Sequence, residues 1–246
     1  IYKDLGIRAI PRKVNILDPK IFEKYQGLNI GIIVARDIDN SKTESELAGL
    51  TRTQEQRIRA EFTVETLNEL PNINVWRKTY SSFGAKPKDH KSSVENIYRV
   101  VLNGINLKSI NTLVDAYNFI SLKHMLPVGG EDLAKIEGDI HLTFAGESEP
   151  AVLLLGDKDP RPPHVEEVVY KDDISAICRR WNWREADRTK LMENTKNCVL
   201  VIEGLPPITR QQVESATNEL KDLVEKYCRA KTTAVILDET NPECEL

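Results

Sequence analysis

The chain has 246 residues, of which 40% are hydrophobic and 29% are charged, and its formal net charge is −4. This length is sufficient to bury a sizeable core, and the composition excludes extensive disorder. The apolar runs, such as IGIIVA and CVLVI, are much shorter than the ~20 residues of a membrane span, so we expect no membrane partner.

The N-terminal third predicts a strand, a long helix and a second strand. The run LNIGIIVARDI, residues 28–38, is rich in β-branched residues and is typical of a buried strand. Apolar residues recur at helical spacing from about Glu44 to Leu70, and Pro71 is the expected stop. The segment NINVWRKTY alternates imperfectly and is predicted to be the second strand.

The middle of the chain predicts two helices followed by short strands. Ser92 and Glu95 form a capping-box pattern at the start of SVENIYRVVLNG, and SINTLVDAYNFISLKH predicts the next helix. The segment PVGGED is interpreted as a glycine turn. Short strands are predicted in GDIHLTFA, AVLLLG and EEVVY.

The C-terminal part predicts a strand in CVLVIEGL, an amphipathic helix in TRQQVESATNELKDLVEKYC and a strand in TTAVILD. This βαβ-like unit is expected to pair its two strands in parallel. Strand–helix–strand units at both ends, with hairpin-like strands between them, favour a mixed α+β fold. We expect one domain over residues 1–246.

Motif content excludes several classes of enzyme. The chain contains neither GxGxxG nor GxxxxGK[ST], so we expect no dinucleotide or P-loop cofactor. It lacks GxSxG, and its histidines, at positions 90, 124, 141 and 164, have no recognisable catalytic context. They do not cluster with carboxylates, so no metal is expected. Four widely spaced cysteines and the lack of a visible signal peptide predict a cytoplasmic protein without structural zinc.

The segment CRRWNWREADRTK, residues 178–190, concentrates aromatic and basic residues. If it forms a strand, Trp181 and Trp183 share one face. One interpretation is that the indoles pack in the core while the arginines form ion pairs. The other is that the guanidinium groups contact phosphates or stack on bases. The residues alone leave both interpretations open.

A second candidate is the polar pair Asp115 and Asn118 within an apolar helix. Such groups are costly to bury unless they form hydrogen bonds. They therefore indicate either a structural hydrogen-bond network or the lining of a pocket.

Four stretches, taken in order, resemble one family. They are INTLVDAYNFISL, LPVGGEDLAKIEGDIHL, EEVVYKDD and CRRWNWREADRTKLMENTKN. Together they resemble the B3/B4 domain of the bacterial phenylalanyl-tRNA synthetase β subunit, and still more the related free-standing B3/B4 proteins. The resemblance covers about residues 81–205, with flanking segments 1–80 and 206–246. It implies a mixed three-layer α+β fold with a β-sandwich-like core and flanking helices.

The resemblance implies a function as well. In the synthetase this domain is the editing site, which hydrolyses tyrosine misattached to the phenylalanine tRNA. By implication, this chain is a free-standing aminoacyl-tRNA deacylase that acts in trans on the 3′ aminoacylated end of tRNA, without a cofactor. The alternatives are a non-catalytic tRNA- or RNA-binding module with the editing fold, and an amino-acid-binding protein.

The family's site residues match only partly. Asn118 matches the Asn of the VDVTNY motif, and Pro127 and Asp132 match the proline and aspartate of QPxHAFD. Glu185 falls on the glutamate that contacts the non-cognate side chain. The chain departs from the family where the motif histidine falls on Gly129 and the threonine before the Asn falls on Tyr117.

From this match we assign three groups of site residues. Backbone amides of a Gly129-Gly130 turn are expected to stabilise the oxyanion, while Asn118 and Glu185 hold the substrate. The predicted catalytic residues are Asn118, Gly129, Gly130 and Glu185. The predicted substrate-binding residues are Tyr117, Pro127, Trp181 and Trp183, and the predicted tRNA-binding residues are Arg179, Arg180, Arg184 and Arg188.

Overall fold

The computed structural model describes residues 14–40 and 44–246. Within these ranges the strands are β1 (Val14–Leu17), β2 (Asn29–Arg36), β3 (Val128–Asp132), β4 (Ile140–Phe144), β5 (Val168–Lys171), β6 (Ala176–Arg179), β7 (Arg184–Glu185), β8 (Cys198–Gly204), β9 (Lys231–Leu237) and β10 (Glu243–Glu245). The α-helices are α1 (Pro19–Lys24), α2 (Ser45–Glu61), α3 (Pro71–Ser82), α4 (Ser93–Leu102), α5 (Thr112–His124) and α6 (Arg210–Cys228).

The strands form two sheets. The four-stranded sheet has the order β3-β8-β2-β9, and every neighbouring pair in it is antiparallel. The six-stranded sheet has the order β10-β1-β4-β5-β6-β7, in which β1 and β4 run parallel. The fold is therefore mixed α+β, as predicted.

Strand β2 is buried on both faces. Ile30 and Ile32 belong to the core between the two sheets, whereas Ile33 and Ala35 belong to the core against the helices α5 and α6. A continuous apolar run suits a strand that is covered on both sides. The result is three layers: helices, the four-stranded sheet and the six-stranded sheet.

The predicted strand NINVWRKTY is wrong, because this segment forms α3. Pro71 occupies the first helical position, where its missing N–H costs nothing, and so it begins a helix. Ile73, Trp76 and Tyr80 are buried at helical spacing. The preceding helix α2 ends at Glu61, before the predicted end at Leu70.

The helix α4 begins where the capping pattern predicts. The Ser92 side chain accepts a hydrogen bond from the Glu95 backbone N–H at 3.4 Å. The Glu95 carboxylate turns instead to Arg77 and Arg99, at 2.8 and 2.9 Å. The cap is confirmed, and the glutamate joins α3 to α4 through an ion pair.

The predicted glycine turn at PVGGED is also wrong, because Val128–Asp132 forms β3 at the edge of the four-stranded sheet. A Cβ atom at Gly130 would lie 2.5 Å from Leu200 Cδ2 and 2.8 Å from the Val199 carbonyl oxygen. The glycine therefore permits close approach of β3 to β8 and does not mark a turn.

The C-terminal strands differ in pairing from the prediction. Strands β8 and β9 do run in the same direction, but β2 lies between them and is antiparallel to both. The predicted direct parallel pair is wrong because the crossover through α6 skips one strand position. The AVLLLG segment contributes two isolated bridges, from Val152 and Leu154, where a strand was predicted.

Candidate active site

A cavity of about 230 Å³ lies between the two sheets. Residues of β3 and β8 line it from the four-stranded sheet, and residues of β1, β4, β5, β6 and β7 line it from the six-stranded sheet. Helix α5 and the β6–β7 loop also contribute to the lining. The predicted site residues in the lining are Tyr117, Asn118, Gly129, Gly130, Trp181, Trp183, Arg184 and Glu185.

The register of β3 and β8 decides which side chains face the cavity. Gly129 pairs with Val201, and Glu131 pairs with Val199. Residues directly opposite in an antiparallel pair project from the same face, so this face presents two valines and one carboxyl group. Because Gly129 has no side chain, it leaves room for the Glu185 carboxyl: a Cβ atom there would lie 3.0 Å from Glu185 Oε1.

Two carboxyl groups meet in this lining. Burial raises the pKa of Glu185 to about 7. A long hydrogen bond of 3.4 Å, from the Gly130 backbone N–H to Glu185 Oε1, lowers this pKa and so partly opposes the effect of burial. Burial also raises the pKa of Glu131 well above its usual value, and the negative charge of Glu185 raises it further. Near neutral pH the pair therefore retains at least one proton.

Helix α5 brings two polar side chains to the same cavity. Neither Tyr117 nor Asn118 has a side-chain hydrogen bond to any residue in the described part of the chain. Burial, followed by the charges of Glu185 and Glu131, raises the pKa of Tyr117 well above its usual value. The phenol therefore stays protonated and can donate a hydrogen bond.

Asp115 has a structural role instead. Its carboxylate accepts hydrogen bonds from Ser109 Oγ at 2.5 Å and from the Ile110 backbone N–H at 2.9 Å. Of the polar pair singled out in this helix, Asp115 fixes the segment before α5, whereas Asn118 faces the cavity.

A buried carboxylate anchors the loop between β6 and β7. Glu203 accepts hydrogen bonds from Trp181 Nε1 at 2.7 Å, Asn182 Nδ2 at 2.6 Å and the Tyr170 hydroxyl at 2.6 Å. Burial raises the pKa of Glu203, while these three donors counteract the shift. The loop position is thus set by one group on β8.

The segment that contains both tryptophans is a tight loop between two short strands. Arg180 and Trp181 have φ angles of 49° and 65°, so the chain reverses there and the predicted common face for the tryptophans is wrong. Trp181 is fully buried, with its ring 5.2 Å from that of Trp76. Trp183 is partly exposed and lies between the guanidinium groups of Arg180 and Arg184, at 4.4 and 4.6 Å.

Three of the four predicted tRNA-binding arginines are engaged within the protein. Arg179 is buried and binds Glu167 through two hydrogen bonds of 3.0 and 2.8 Å. Arg188 binds the Lys135 carbonyl oxygen and the Asp172 carboxylate, and Arg184 binds Asp157. Arg179 therefore does not reach the surface, because its side chain is only 5% exposed. Arg184 is 38% exposed and remains accessible at the rim.

Two further residues matched to the family, Pro127 and Asp132, lie outside the cavity lining. Pro127 is buried outside the cavity lining, where its carbonyl oxygen accepts the Glu203 backbone N–H. Asp132 is buried and binds Thr195 Oγ1 at 2.8 Å. Of the two glycine amides expected to stabilise an oxyanion, the Gly130 N–H already points to Glu185. Successive backbone N–H groups along a strand point to opposite sides, so the Gly129 N–H points towards β8.

Sequence reasoning missed several polar residues of the lining, among them Glu131 and Asn15. Glu131 would have been found by alternation from Gly129 if β3 had been recognised as a strand. Asn15 on β1 is 1% exposed, and neither of its side-chain amide atoms has a hydrogen-bond partner in the described ranges. A buried amide without a partner in a cavity wall is where a ligand donor or acceptor is expected.

Neither a metal site nor a membrane span is found in the part of the chain that the structure describes. No group of three or more potential ligands among His, Cys, Asp and Glu comes together there. No helix there combines the length and apolar character needed to cross a membrane. The four cysteines are free, and burial raises the pKa of the Cys178 thiol in the cavity lining, so this thiol is not an activated nucleophile.

Comparison with known proteins gives a family match and a set of similar solved structures. The family model for the B3/4 domain matches residues 75–238, which is more than half of the chain. An N-terminal fragment of the phenylalanyl-tRNA synthetase β subunit from Pyrococcus horikoshii has a TM-score of 0.46 and 12% sequence identity. The alignment covers 91% of this chain and 54% of that fragment, so the chain spans about half of its length. No curated protein matches the sequence.

Proposed function

Because the chain belongs to the B3/4 domain family, we propose that it is an aminoacyl-tRNA deacylase that hydrolyses the ester bond of mischarged tRNA in trans. The observation that supports this most strongly is the pair of carboxyl groups, Glu185 and Glu131, in a cavity between two sheets. A carboxyl group with a pKa of about 7 suits proton transfer at neutral pH.

In this reaction Glu185 acts as the general base. A water molecule attacks the ester carbonyl carbon while the Glu185 carboxylate takes its proton. The carbonyl oxygen becomes an oxyanion, which the Tyr117 hydroxyl and the Asn118 amide stabilise as hydrogen-bond donors. The intermediate then breaks its bond to the ribose oxygen, which receives the proton back from Glu185. The products are a free amino acid and a tRNA with a free terminal hydroxyl.

The remaining lining suits an amino-acid side chain. Ile140, Ile177, Val199 and Val201 provide apolar walls, and Asn15 provides an amide for a polar group. Trp183 and Arg184 at the rim would meet the terminal nucleotide, by stacking and by charge. An aminoacyl ester is already activated, so positioning and polarisation suffice without a nucleophilic residue.

The test is hydrolysis of a panel of aminoacylated tRNAs, with protein in excess and ester loss followed in time. We expect at least one ester to be cleaved, with a rate that rises with pH through about 7 because the carboxylate form is the base. Glu185→Gln is expected to lower the rate roughly 10²- to 10⁴-fold. The matched control Glu193→Gln changes an exposed glutamate and should leave the rate unchanged. Equal rates for wild type and Glu185→Gln would exclude this mechanism.

The engaged arginines favour an amino-acid-binding protein as the second candidate. Arg179, Arg184 and Arg188 are held by internal partners, which leaves few cations in this segment for a polynucleotide. In that case no ester is cleaved, and free amino acids bind in equilibrium dialysis. Salt-dependent tRNA binding without cleavage would instead support the non-catalytic tRNA-binding module.

A further inference from the structure

A second pocket, of about 400 Å³, lies behind the loop that contains both tryptophans. The segment after α3 lines it with Lys86, Asp89 and His90, and the segment before β5 lines it with His164 and Glu167. Arg180 contributes from the β6–β7 loop. The function proposed above uses none of these side chains.

Arg180 is the unusual residue in this pocket. It is 6% exposed, yet its guanidinium group has neither an ion pair nor a hydrogen bond to any residue within 14–40 or 44–246, and its Nη1 atom is fully buried. Burial lowers the pKa of Arg180, which is the effect of charge without sufficient compensation. A buried guanidinium group without a hydrogen bond is unfavourable even where it stacks on an aromatic ring, as Arg180 does on Trp183. Its position beside a pocket therefore points to a ligand that supplies the missing acceptors.

The neighbouring carboxylate, Glu167, fills this role only through its charge, which partly offsets the effect of burial on the pKa of Arg180. Glu167 accepts two hydrogen bonds from Arg179 and one from the Arg180 backbone N–H, at 3.0, 2.8 and 3.0 Å. The His164 backbone N–H donates a fourth, at 3.2 Å. Although burial alone raises the pKa of Glu167, these contacts bring it below its usual value. The Glu167 oxygens therefore accept from Arg179 and from backbone N–H groups, while the Arg180 guanidinium group keeps its hydrogen-bond donors for the pocket.

The other side chains of the pocket are mostly donors. His90 has a buried Nδ1 atom without a partner among the described residues, and its ring lies 4.7 Å from that of Trp183. Lys86 and His164 are exposed at the rim, where Asp89 is the one exposed carboxylate of the lining. Donors on three separate chain segments suit an anion with several oxygens in a tetrahedral arrangement better than a planar carboxylate.

We propose that the pocket around Arg180 binds a phosphate group. The phosphate can belong to the RNA backbone, in which case the inference rests on the proposed function, or to a free phosphate compound. Arg180 stacks on Trp183, which lines the cavity between the sheets, so a phosphate here lies next to the wall of the candidate active site.

The test uses inorganic phosphate with the whole chain, at constant ionic strength maintained with sodium chloride. Phosphate is expected to raise the Tm of the wild type by roughly 2–4 °C once it exceeds its dissociation constant several-fold. Arg180→Gln should lose this shift. The matched control Arg161→Gln removes an exposed arginine outside both pockets, so phosphate should raise its Tm as it does for the wild type.

A second variant keeps the test interpretable if Arg180→Gln folds poorly. Lys86 is exposed, so Lys86→Gln should fold normally and weaken phosphate binding several-fold. A parallel measurement follows binding of a short single-stranded RNA that ends in CCA, by fluorescence anisotropy. Loss of RNA binding in Arg180→Gln identifies the RNA backbone as the source of the phosphate, and loss of only the phosphate shift identifies a free compound.

The proposal is overturned if the wild type responds to neither inorganic phosphate nor RNA. It is also overturned if Arg180→Gln and Lys86→Gln respond to both probes as the wild type does. Neither measurement involves an aminoacyl ester, so failure here is distinct from failure of the deacylase assay.

Discussion

Trp181 and Trp183 are two positions apart and have different environments. Trp181 is inaccessible to solvent and donates its indole N–H to Glu203, whereas Trp183 lines the cavity and stacks with two arginines. The core interpretation is therefore confirmed for Trp181 and for the ion-paired arginines. Contact with phosphates or bases stays a prediction for the accessible side chains around Trp183.

This difference predicts unequal costs of substitution. Trp181→Phe removes one of three donors to a buried carboxylate and leaves unfilled volume, so we expect a loss of about 2–4 kcal/mol in the free energy of unfolding. Trp183→Phe loses only stacking at a partly exposed site, so we expect less than about 1 kcal/mol. Urea unfolding of both variants measures the difference, and equal losses would contradict the assigned environments.

A second prediction at the residue scale concerns the pKa of Glu185. Its value of about 7 in the folded protein lies above the ordinary 4.5. Between these values the folded protein retains a proton that the unfolded chain has lost. The contribution of this group to the free energy of unfolding is therefore fully present below pH 4.5 and is lost as the pH rises to 7. For an isolated group the loss is about 3 kcal/mol.

Glu185→Gln removes this titration. The variant should be more stable than the wild type at pH 8 and nearly equal to it at pH 4.5, because glutamine resembles the protonated acid. Urea unfolding at both pH values tests this, with Glu193→Gln as the exposed control. An equal stability difference at the two pH values would show that Glu185 ionises normally.

At the scale of elements, hydrophobic periodicity predicted the long regular segments. Helices α5 and α6 and strands β2, β8 and β9 lie where the pattern placed them, because each has a long apolar face. Local residue signals were less informative. Pro71 begins a helix although it was expected to stop one, and the glycines of β3 allow close packing although a turn was expected.

The site was predictable only in part, because local patterns do not show which distant segments meet in the folded chain. Asn118 and Glu185 were found through the family resemblance, and both line the cavity. Glu131, Asn15 and the anchor Glu203 were missed, since each is a polar residue within a strand and meets the others only in the folded cavity lining. Ion pairs of the arginines likewise depend on tertiary contacts that no local pattern encodes.

The two glycines of β3 provide a prediction at this scale. Gly129→Ala places a methyl group 3.0 Å from Glu185 Oε1, so it should impair hydrolysis while the fold remains stable. Gly130→Ala meets Leu200 Cδ2 at 2.5 Å and a backbone oxygen at 2.8 Å, so it should cost roughly 1–3 kcal/mol of stability. Thermal unfolding and the deacylation rate, measured on both variants, separate the two effects. The reverse pattern would show that Gly129 is the packing glycine.

At the scale of the whole molecule, strands from both the first and the last described segments contribute to the sheets around the cavity. Strand β1 lies between β4 and the C-terminal strand β10, and it carries Asn15 into the cavity lining. Strand β2 lies between β8 and β9 and pairs with each over seven positions. The family match over residues 75–238 includes neither β1 nor β2 nor β10.

The segment that matches the family is therefore not expected to fold alone. A fragment of residues 75–238 lacks the strand that joins β8 to β9, and it leaves apolar faces of both cores uncovered. We expect it to show no cooperative thermal unfolding by circular dichroism, and a peptide of residues 14–40 added in trans should restore part of the transition.

The control is a chain truncated after residue 238. It loses only β10, a three-residue strand at the edge of the six-stranded sheet, so β1 keeps its pairing with β4 and cooperative unfolding should persist. A sharp transition for fragment 75–238, with a Tm close to that of the whole chain, would show that β8 and β9 do not need β2. The conclusion would then be that the cavity-forming part is an independent unit, and that the N-terminal segment is accessory to it.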